Sequence, residues 1–85
     1  MSDFEQAQKD VKTLTQRPEN DDMLLLYACY KQATAGDASG SRPGMFDLVG
    51  RAKYDAWAAL AGTSQADAQA RYVRKVRDLL ADEGR

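Results

Sequence analysis

Residues 23–30 read Met-Leu-Leu-Leu-Tyr-Ala-Cys-Tyr, an unbroken apolar and aromatic run in a chain of 85 residues. Asn20 is predicted to cap the helix that contains this run, and the acidic residues after it favour the positive end of the helix dipole. Gly36 can supply a left-handed turn after Ala35. Because this predicted helix is apolar on every side, it is expected to be centrally buried or to have two apolar partners. In so small a domain, one of those partners can be a ligand.

A first helix is predicted ahead of this one. Ser2 with Glu5 three residues later has the form of a capping box, which satisfies two backbone N–H groups. The apolar residues that follow recur at three- and four-residue spacing and form one stripe: Phe4, Ala7, Val11 and Leu14. Pro18 marks the break after this helix.

Two more helices are predicted in the second half of the chain. A short third helix over about residues 48–61 is ended by Gly62. Ser64, with Asp67 three residues later, is predicted to cap a fourth helix over about residues 65–82. The predicted core stripe of that helix, with two flanking residues, is Ala66, Ala70, Val73, Val76 and Leu80, flanked by Tyr72 and Leu79. No strand pattern is found, so the sequence predicts an all-α protein.

A Gly/Ser/Pro segment joins the second and third helices, from Gly36 to about Asp47. Loops of a dozen residues are uncommon in compact domains and are often functional. The alternative is that this segment only spans the gap between two helix ends. It is not a phosphate-binding loop of the Walker type, because the terminal Gly-Lys-Ser/Thr is absent.

Length and composition exclude several classes of protein. The chain is expected to be one domain over residues 1–85, and its 44% hydrophobic and 29% charged residues suit an ordinary folded domain. The net charge is −1, whereas a general DNA binder is usually strongly basic, so no nucleic-acid partner is expected. The longest apolar run is far shorter than the about 20 residues that span a membrane, so no stable membrane insertion is expected.

Cysteine and histidine usage narrow the chemistry further. Cys29 is the single cysteine and cannot form an intramolecular disulfide, so the fold needs no oxidising compartment. The N-terminus does not resemble a secretory signal, and the cytoplasm is the expected location. Histidine is absent, which excludes a zinc site of the ordinary type and removes the commonest general base. An enzyme that uses Asp, Glu, Lys or Tyr stays possible.

Two pairs of residues in the predicted helices suit an anionic, partly planar ligand. Tyr27 and Lys31 are four residues apart on the second helix, as are Lys53 and Trp57 on the third, so each pair shares a helix face. A phenol beside an ammonium suits a phosphate oxygen. The alternative is that these are core-edge aromatics beside solvated lysines, and that Tyr72 on the fourth helix is a packing residue.

The order of these segments resembles the acyl-CoA-binding protein family. Residues 27–37, Tyr-Ala-Cys-Tyr-Lys-Gln-Ala-Thr-Ala-Gly-Asp, look like its central motif, and residues 42–45, Arg-Pro-Gly-Met, resemble its loop signature. Residues 52–57, Ala-Lys-Tyr-Asp-Ala-Trp, continuing through residues 60–64, Leu-Ala-Gly-Thr-Ser, resemble its third-helix signature. Tyr72 and its apolar neighbours fit the last helix. Three motifs at family spacing make this a strong signal.

The resemblance implies both a fold and a function. The fold is a four-helix bundle of skewed up-down-down-up topology. The function is non-catalytic binding, transport and pool formation of medium- to long-chain fatty acyl-CoA by a cytoplasmic monomer, with no catalytic residue, metal or cofactor. Two alternatives remain: a helical protein–protein adaptor that uses the same apolar groove, and a thioester-cleaving enzyme, for which no Ser/His or Cys/His arrangement is present.

The resemblance also implies which residues bind the ligand head. Tyr27, Lys31 and Lys53 are expected to hold the adenosine 3′-phosphate, through charge-assisted hydrogen bonds. Lys12 matches a basic family position near the ligand. Val49 departs from the family, because a ligand-contacting lysine is common at that position.

The acyl portion is expected to lie along the second helix. Tyr30 and Tyr72 are implied to frame the nucleotide and acyl portions, and the implied groove lining is Ala7, Met23 and Leu24. Two further departures, Gln8 for a small apolar residue and Tyr54 for a frequent tryptophan, bear on packing.

Overall fold

A computed structural model describes residues 2–85, which contain four α-helices and no strand: α1 Asp3–Asp10, α2 Asn20–Ala35, α3 Leu48–Ala58 and α4 Gln65–Asp82. A single 3₁₀ turn, Val11–Thr13, extends α1. The all-α prediction is therefore confirmed. Among the helices described here, none combines the length and the hydropathy needed to cross a bilayer.

Three of the four helices begin at a side-chain cap. Ser2 Oγ accepts a hydrogen bond from the Glu5 N–H (3.1 Å), and Ser64 Oγ accepts one from the Asp67 N–H (3.0 Å). Asp47, which was not predicted to be a cap, does the same for α3. These contacts confirm the predicted starts of α1 and α4, because each satisfies an N–H group that the helix itself leaves unpaired.

Two predicted helix boundaries were wrong. Asn20 is the first residue of α2 and not its cap, because the Met23 N–H already bonds to the carbonyl of Glu19 (2.9 Å). The third helix ends at Ala58 and not at Ala61. After it the chain continues in tighter turns, in which the N–H groups of Leu60 and Ala61 bond to carbonyls three residues back, and Gly62 then adopts a φ of 86°.

The contacts between α2 and α3 show that these helices run in the same direction. Tyr27 of α2 lies against Lys53 of α3, and one turn further along Lys31 lies against Trp57. Residue numbers therefore rise together on the two helices. A parallel neighbour requires the connecting loop to return along the full length of α3, about 16 Å at 1.5 Å per residue.

The loop over residues 36–47 runs back along α3 and lies close against it. Three contacts secure it: Trp57 Nε1 donates to the Gly36 carbonyl (2.7 Å), the Tyr54 hydroxyl donates to the Gly40 carbonyl (3.2 Å), and Arg42 forms two hydrogen bonds with Asp55 (2.7 and 2.8 Å). This geometry favours the simpler of the two interpretations, in which the loop bridges helix ends.

Contacts between α2 and α4 show the opposite direction. Asp22 near the start of α2 pairs with Lys75 in the second half of α4 (2.7 Å). Thr34 near the end of α2 accepts a hydrogen bond from Gln65 at the start of α4 (3.5 Å). These two helices are therefore antiparallel.

The first helix runs parallel to α4. The ring of Phe4 contacts that of Tyr72, with centroids 5.2 Å apart, and Arg85 beyond α4 donates to the Thr13 hydroxyl beyond α1 (2.9 Å). Taken with the other two pairs of helices, these directions give the up-down-down-up order. The predicted topology is therefore confirmed.

The core lies where α4 contacts both α1 and α2. Its buried residues are Phe4, Ala7, Leu26, Cys29, Ala33, Ala68, Tyr72, Val73, Val76 and Leu79. The all-round apolar α2 is central, since it packs against α3 on one side and α4 on the other. This position accounts for only part of its apolar surface, because Met23, Leu25 and Tyr30 stay 38–40% exposed.

The predicted core stripe of α4 was partly wrong. Ala66 and Ala70 are exposed, and the buried line instead starts at Ala68 and continues through Tyr72 and Val76. Alanine carries too little apolar surface to indicate a helix face by itself. The large residues in the second half of the helix determine the face that is buried.

Candidate functional site

Tyr27, Lys31 and Lys53 form a cluster along the ridge between α2 and α3. Tyr27 and Lys31 are one turn apart on α2, and Lys53 approaches from α3 with its Nζ 5.4 Å from the centre of the Tyr27 ring. The Lys31 Nζ lies 4.8 Å from the centre of the Trp57 ring. Cation–π contacts of this kind hold an ammonium near an aromatic face without neutralising its charge. The cluster therefore presents two positive charges and one phenol side by side.

The charges of this cluster are not taken up by acidic side chains. The ion pairs found within residues 2–85 are Arg42–Asp55, Lys75–Asp22, Arg77–Asp3 and Arg85–Glu83. Neither Lys31 nor Lys53 belongs to any of them. Lys53 is exposed, whereas Tyr27 and Lys31 are half-buried. Two ammonium groups without a carboxylate partner are available to an anionic ligand such as a phosphate.

An apolar groove of about 310 Å³ opens beside this cluster. It lies between α2, the 3₁₀ turn after α1, and α4, and it is lined by Val11, Pro18, Met23, Leu26, Tyr27, Tyr30 and Tyr72. Tyr27 belongs both to the groove and to the cluster. The groove therefore adjoins the cationic cluster at Tyr27, an arrangement that suits an amphiphile with an anionic head.

The rings of Tyr30 and Tyr72 form one wall of the groove, and Phe4 packs behind them. The centroids of Tyr30 and Tyr72 are 6.5 Å apart, and Phe4 packs against both rings at 6.2 and 5.2 Å. Burial, followed by the neighbouring Tyr30, raises the pKa of Tyr72 above its ordinary value. The Tyr72 phenol is therefore uncharged at neutral pH and able to donate a hydrogen bond. Tyr30 is 40% exposed, so its ring faces both the groove and solvent.

The other residues implied by the resemblance lie in different places. Met23 lines the groove, whereas Leu24 is half-buried and is not part of its lining. Ala7 is buried and faces a small cleft between α1 and α4. Lys12 is exposed in the 3₁₀ turn. Val49 is 67% exposed, one turn before Lys53 on α3.

Sequence reasoning missed part of the groove lining. Val11 was assigned to the core stripe of α1, and Pro18 was considered only as a break. Leu26 belonged to an apolar run without a defined face. The signal for Val11 was its place at the end of the stripe, where α1 tightens into a 3₁₀ turn and its side chain is only partly buried.

A larger depression lies on the opposite side of α4. It has a volume of about 580 Å³ and is lined by residues of the first turn of α1 and one side of α4, among them Ala66, Ala70 and Arg74. None of the implied ligand residues lines it. Its lining mixes the apolar Phe4 and Val73 with charged side chains, and neither Lys31 nor Lys53 borders it, so its size alone does not make it the better candidate for an amphiphile.

The described residues provide little for catalysis. Cys29 is fully buried, and burial raises the pKa of its thiol, so it is not an activated nucleophile. Within residues 2–85 no three acidic or cysteine side chains come together as metal ligands.

A family model named Acyl CoA binding protein matches residues 1–76 of this chain. The chain belongs to the acyl-CoA-binding protein family. The expectation drawn from the three motifs is thereby confirmed.

Family relatives match this chain over nearly its whole length. It is 51% identical over 81 residues to an acyl-CoA-binding protein of Brassica napus, which covers 95% of this chain and 88% of that protein. It is 50% identical over 82 residues to an acyl-CoA-binding protein homolog of Manduca sexta, covering 95% of this chain and 91% of the relative. The crystal structure of Oryza sativa acyl-CoA-binding protein 2 is similar with a TM-score of 0.92 at 44% identity, over 98% of this chain and 90% of that one. The acyl-CoA-binding protein fold is therefore established for this chain.

Proposed function

We propose that this chain binds medium- to long-chain fatty acyl-CoA esters without altering them, and that it carries and pools them in the cytoplasm as a monomer with a single binding domain over residues 1–85. The observation that carries the proposal is the junction at Tyr27. This residue lies both in the cluster with Lys31 and Lys53 and in the wall of the apolar groove. The ligand head and the ligand tail can therefore be held together.

The head of the ligand accounts for the cationic cluster. Coenzyme A is an anion with phosphate groups, and Lys31 and Lys53 have no carboxylate partner in residues 2–85. We assign the adenosine 3′-phosphate to these two lysines and the Tyr27 hydroxyl. Hydrogen bonds to a charged group contribute about 1.5–3 kcal/mol each.

The tail of the ligand accounts for the groove. Each CH₂ group that leaves water contributes roughly 0.8 kcal/mol, so an acyl chain against Met23, Leu26 and Val11 adds affinity that the head alone lacks. Tyr30 and Tyr72 stand at the wall of the groove, where they can frame the portions of the ligand that join head and tail. Both halves of the ester contribute in this proposal.

Binding of this kind requires no chemistry from the protein. Neither a metal nor a cofactor takes part in the proposal, and the acyl-CoA is its ligand and not its substrate. No nucleic-acid partner is included, since the cationic surface is limited to a small cluster in a chain of net charge −1.

Isothermal titration calorimetry tests the proposal directly. Palmitoyl-CoA is titrated into the protein, with free coenzyme A and free palmitate titrated separately as matched halves of the ligand. We expect one-to-one binding of the ester and binding of each half weaker by at least about a hundredfold, because each half lacks several kcal/mol of contacts. An ester that binds no more tightly than either half would refute the proposal and favour the adaptor alternative. Release of free coenzyme A during incubation would instead indicate an enzyme.

A further inference from the structure

One side of the apolar groove is built by a stretch of chain with little regular structure. Val11 and Pro18 both line the groove. Val11 lies in the 3₁₀ turn, and residues 14–19 join that turn to α2 outside any helix. The other lining residues lie on α2 and α4, whose backbones are held by their own hydrogen bonds. We refer to residues 11–18 as the wall segment, and its position depends on what other parts of the chain hold it.

The Glu83 side chain, just beyond α4, holds the middle of the wall segment. Its carboxylate accepts hydrogen bonds from the Thr15 N–H (2.9 and 3.2 Å to its two oxygens) and from the Gln16 N–H (3.1 Å). These bonds, that of Gln16 first, lower the pKa of Glu83 below its ordinary value, so the group is ionised at neutral pH. Hydrogen bonds to an ionised acceptor are stronger than bonds between neutral groups. The carboxylate thus supplies the acceptors that a helix or a strand would otherwise supply to these two N–H groups.

Arg85 adds a second set of contacts to the wall segment. Its guanidinium donates to the Thr13 carbonyl (3.2 Å) and to the Thr13 hydroxyl (2.9 Å). It also lies 3.6 Å from the Glu83 carboxylate, and the Glu83 side chain is only 12% exposed. The residues that the two side chains hold all lie between Val11 and Pro18, the two residues that line the groove.

The end of α4 fixes the positions of Glu83 and Arg85. The Arg85 N–H bonds to the Leu80 carbonyl, and the Gly84 N–H bonds to the Ala81 carbonyl (2.9 Å each). These two bonds, with the φ of 79° at Gly84, form the Schellman motif that ends many helices. The two side chains therefore project from a hydrogen-bonded helix end.

Apolar packing between the wall segment and α4 is incomplete next to these contacts. A cleft of about 160 Å³ lies between them, and its lining includes Leu14 and Pro18 on one side and Leu79 and Glu83 on the other. Leu14 is partly buried against the core and holds one point of the segment. The position of residues 15–18 therefore depends on the polar contacts of Glu83 more than on apolar packing.

We infer that Glu83 is a positioning residue of the apolar groove, and that with Arg85 it holds the wall segment where Val11 and Pro18 contact the ligand tail. The inference rests on the proposed function, because binding of the tail is its readout. A wall that is already held in its bound position loses less conformational entropy when the tail enters. The cationic cluster is built by α2 and α3, so loss of Glu83 should weaken binding of the tail and spare binding of the head. Glu83 and Arg85 lie beyond residues 1–76, which the family model matches, so the family motifs assign them no role.

Calorimetry with the whole ligand and with its head alone separates this role from a general structural one. Palmitoyl-CoA and free coenzyme A are titrated into the unaltered protein and into Glu83→Ala, which removes both acceptor oxygens. We expect the affinity of Glu83→Ala for palmitoyl-CoA to fall about tenfold, and its affinity for free coenzyme A to stay within about twofold. Glu83→Gln, which keeps one acceptor oxygen, should show a smaller loss for palmitoyl-CoA.

Asp82→Asn is the matched control, because it removes an exposed carboxylate at the same helix end and leaves the bonds of Glu83 in place. We expect it to bind both ligands as the unaltered protein does. Amide hydrogen exchange of the ligand-free protein gives a second readout. The Thr15 and Gln16 amides should exchange at least about tenfold faster in Glu83→Ala, while amides in the middle of α2 and α4 stay unchanged.

The outcomes distinguish this inference from the proposed function. If the unaltered protein binds palmitoyl-CoA and Glu83→Ala binds it equally well, the role of Glu83 is wrong and the proposed function stands. Equal losses for palmitoyl-CoA and free coenzyme A, an equal loss in Asp82→Asn, or unchanged exchange at Thr15 and Gln16 would also overturn the role. If the unaltered protein does not bind palmitoyl-CoA, the proposed function is refuted, and the role of Glu83 in binding is refuted with it.

Discussion

The Lys53 ammonium lies 5.4 Å from the centre of the Tyr27 ring, so a side chain of α3 completes a cluster that α2 begins. Lys31, one turn from Tyr27, approaches the same ridge and lies against Trp57 of α3. The parallel packing of the two helices is what places these groups in register. The cluster is therefore a tertiary feature that depends on the long return loop.

Charge reversal in this cluster should weaken ligand binding without unfolding the protein. Lys31→Glu and Lys53→Glu each remove a charge-assisted contact worth about 1.5–3 kcal/mol and place a carboxylate near the phosphate. We expect affinity for palmitoyl-CoA to fall about ten- to several-hundredfold in calorimetry. The helical circular dichroism should be retained, since neither lysine is part of the buried core.

The matched control for these variants is Arg74→Glu, which makes the same charge change on the far side of α4. It should bind palmitoyl-CoA as the unaltered chain does. If Lys31→Glu and Lys53→Glu also bind normally, the assignment of the cluster to the ligand head is wrong.

Val49→Lys should strengthen binding of the ligand head. Val49 is 67% exposed and lies one turn before Lys53, so a lysine fits there without disturbing the core and adds a third cation beside the cluster. We expect affinity for palmitoyl-CoA, and for coenzyme A alone, to rise about three- to tenfold at low salt, and the gain to shrink as salt is added. Val49→Gln, of similar length to lysine but uncharged, is the control. An equal gain in both variants would show that charge is not the cause.

The Asp37 carboxylate should stabilise the folded protein at neutral pH, and this contribution should be lost in acid. The Gln32 amide donates to this carboxylate (2.7 Å), and so does the Gly62 N–H (3.0 Å), and these bonds lower the pKa of Asp37 below its ordinary value of 3.8. The unfolded chain therefore binds this proton more readily than the folded one. The stabilisation is fully present above pH 3.8 and is lost as the pH falls through the lower pKa of the folded state.

Asp37→Asn provides the measurement. The variant should be less stable than the unaltered protein at neutral pH, and the difference in free energy of unfolding should shrink as the pH falls below the ordinary pKa of the aspartate. Urea unfolding followed by circular dichroism at a series of pH values gives both curves. Two curves that stay parallel over the whole range would show that Asp37 does not contribute through its charge.

Trp57→Phe should lower the stability of the folded protein, because it releases the start of the return loop. The change removes the hydrogen bond from Trp57 Nε1 to the Gly36 carbonyl (2.7 Å), which anchors the start of the return loop. Loss of a partner for a part-buried carbonyl costs about 1–3 kcal/mol. Tyr54→Phe, which removes the more exposed hydrogen bond to Gly40, should cost less. Urea unfolding measures both, and a smaller loss for Trp57→Phe than for Tyr54→Phe would contradict this account.

Much of the local structure could be predicted because it depends on neighbours in sequence. The caps at Ser2 and Ser64 bond to N–H groups three residues away, and Gly36 and Gly62 adopt the positive φ that an L side chain avoids. The family motifs also identified the relatives and the topology. The roles of Tyr27, Lys31 and Lys53 in binding remain a prediction from those motifs.

Other features could not be predicted because they depend on which helix faces lie together. The exposed Ala66 and Ala70 were assigned to the core because alanine suits either environment. Trp57 was paired with Lys53 on its own helix, whereas the structure places it against Lys31 of α2. Spacing along one helix identifies a shared face, but it does not identify the element that packs against that face.

The sequence by itself determined the four helices, most of their ends and the family, because caps, glycine turns and motifs are read from residues close together in the chain. Only the tertiary structure decided which residues form the groove, where Val11 and Pro18 meet Tyr72 across three segments. It also decided that neither Lys31 nor Lys53 forms an ion pair with a carboxylate of residues 2–85. The physical reason is that local hydrogen bonds select a helix, whereas the burial of apolar surface between distant segments selects its neighbours.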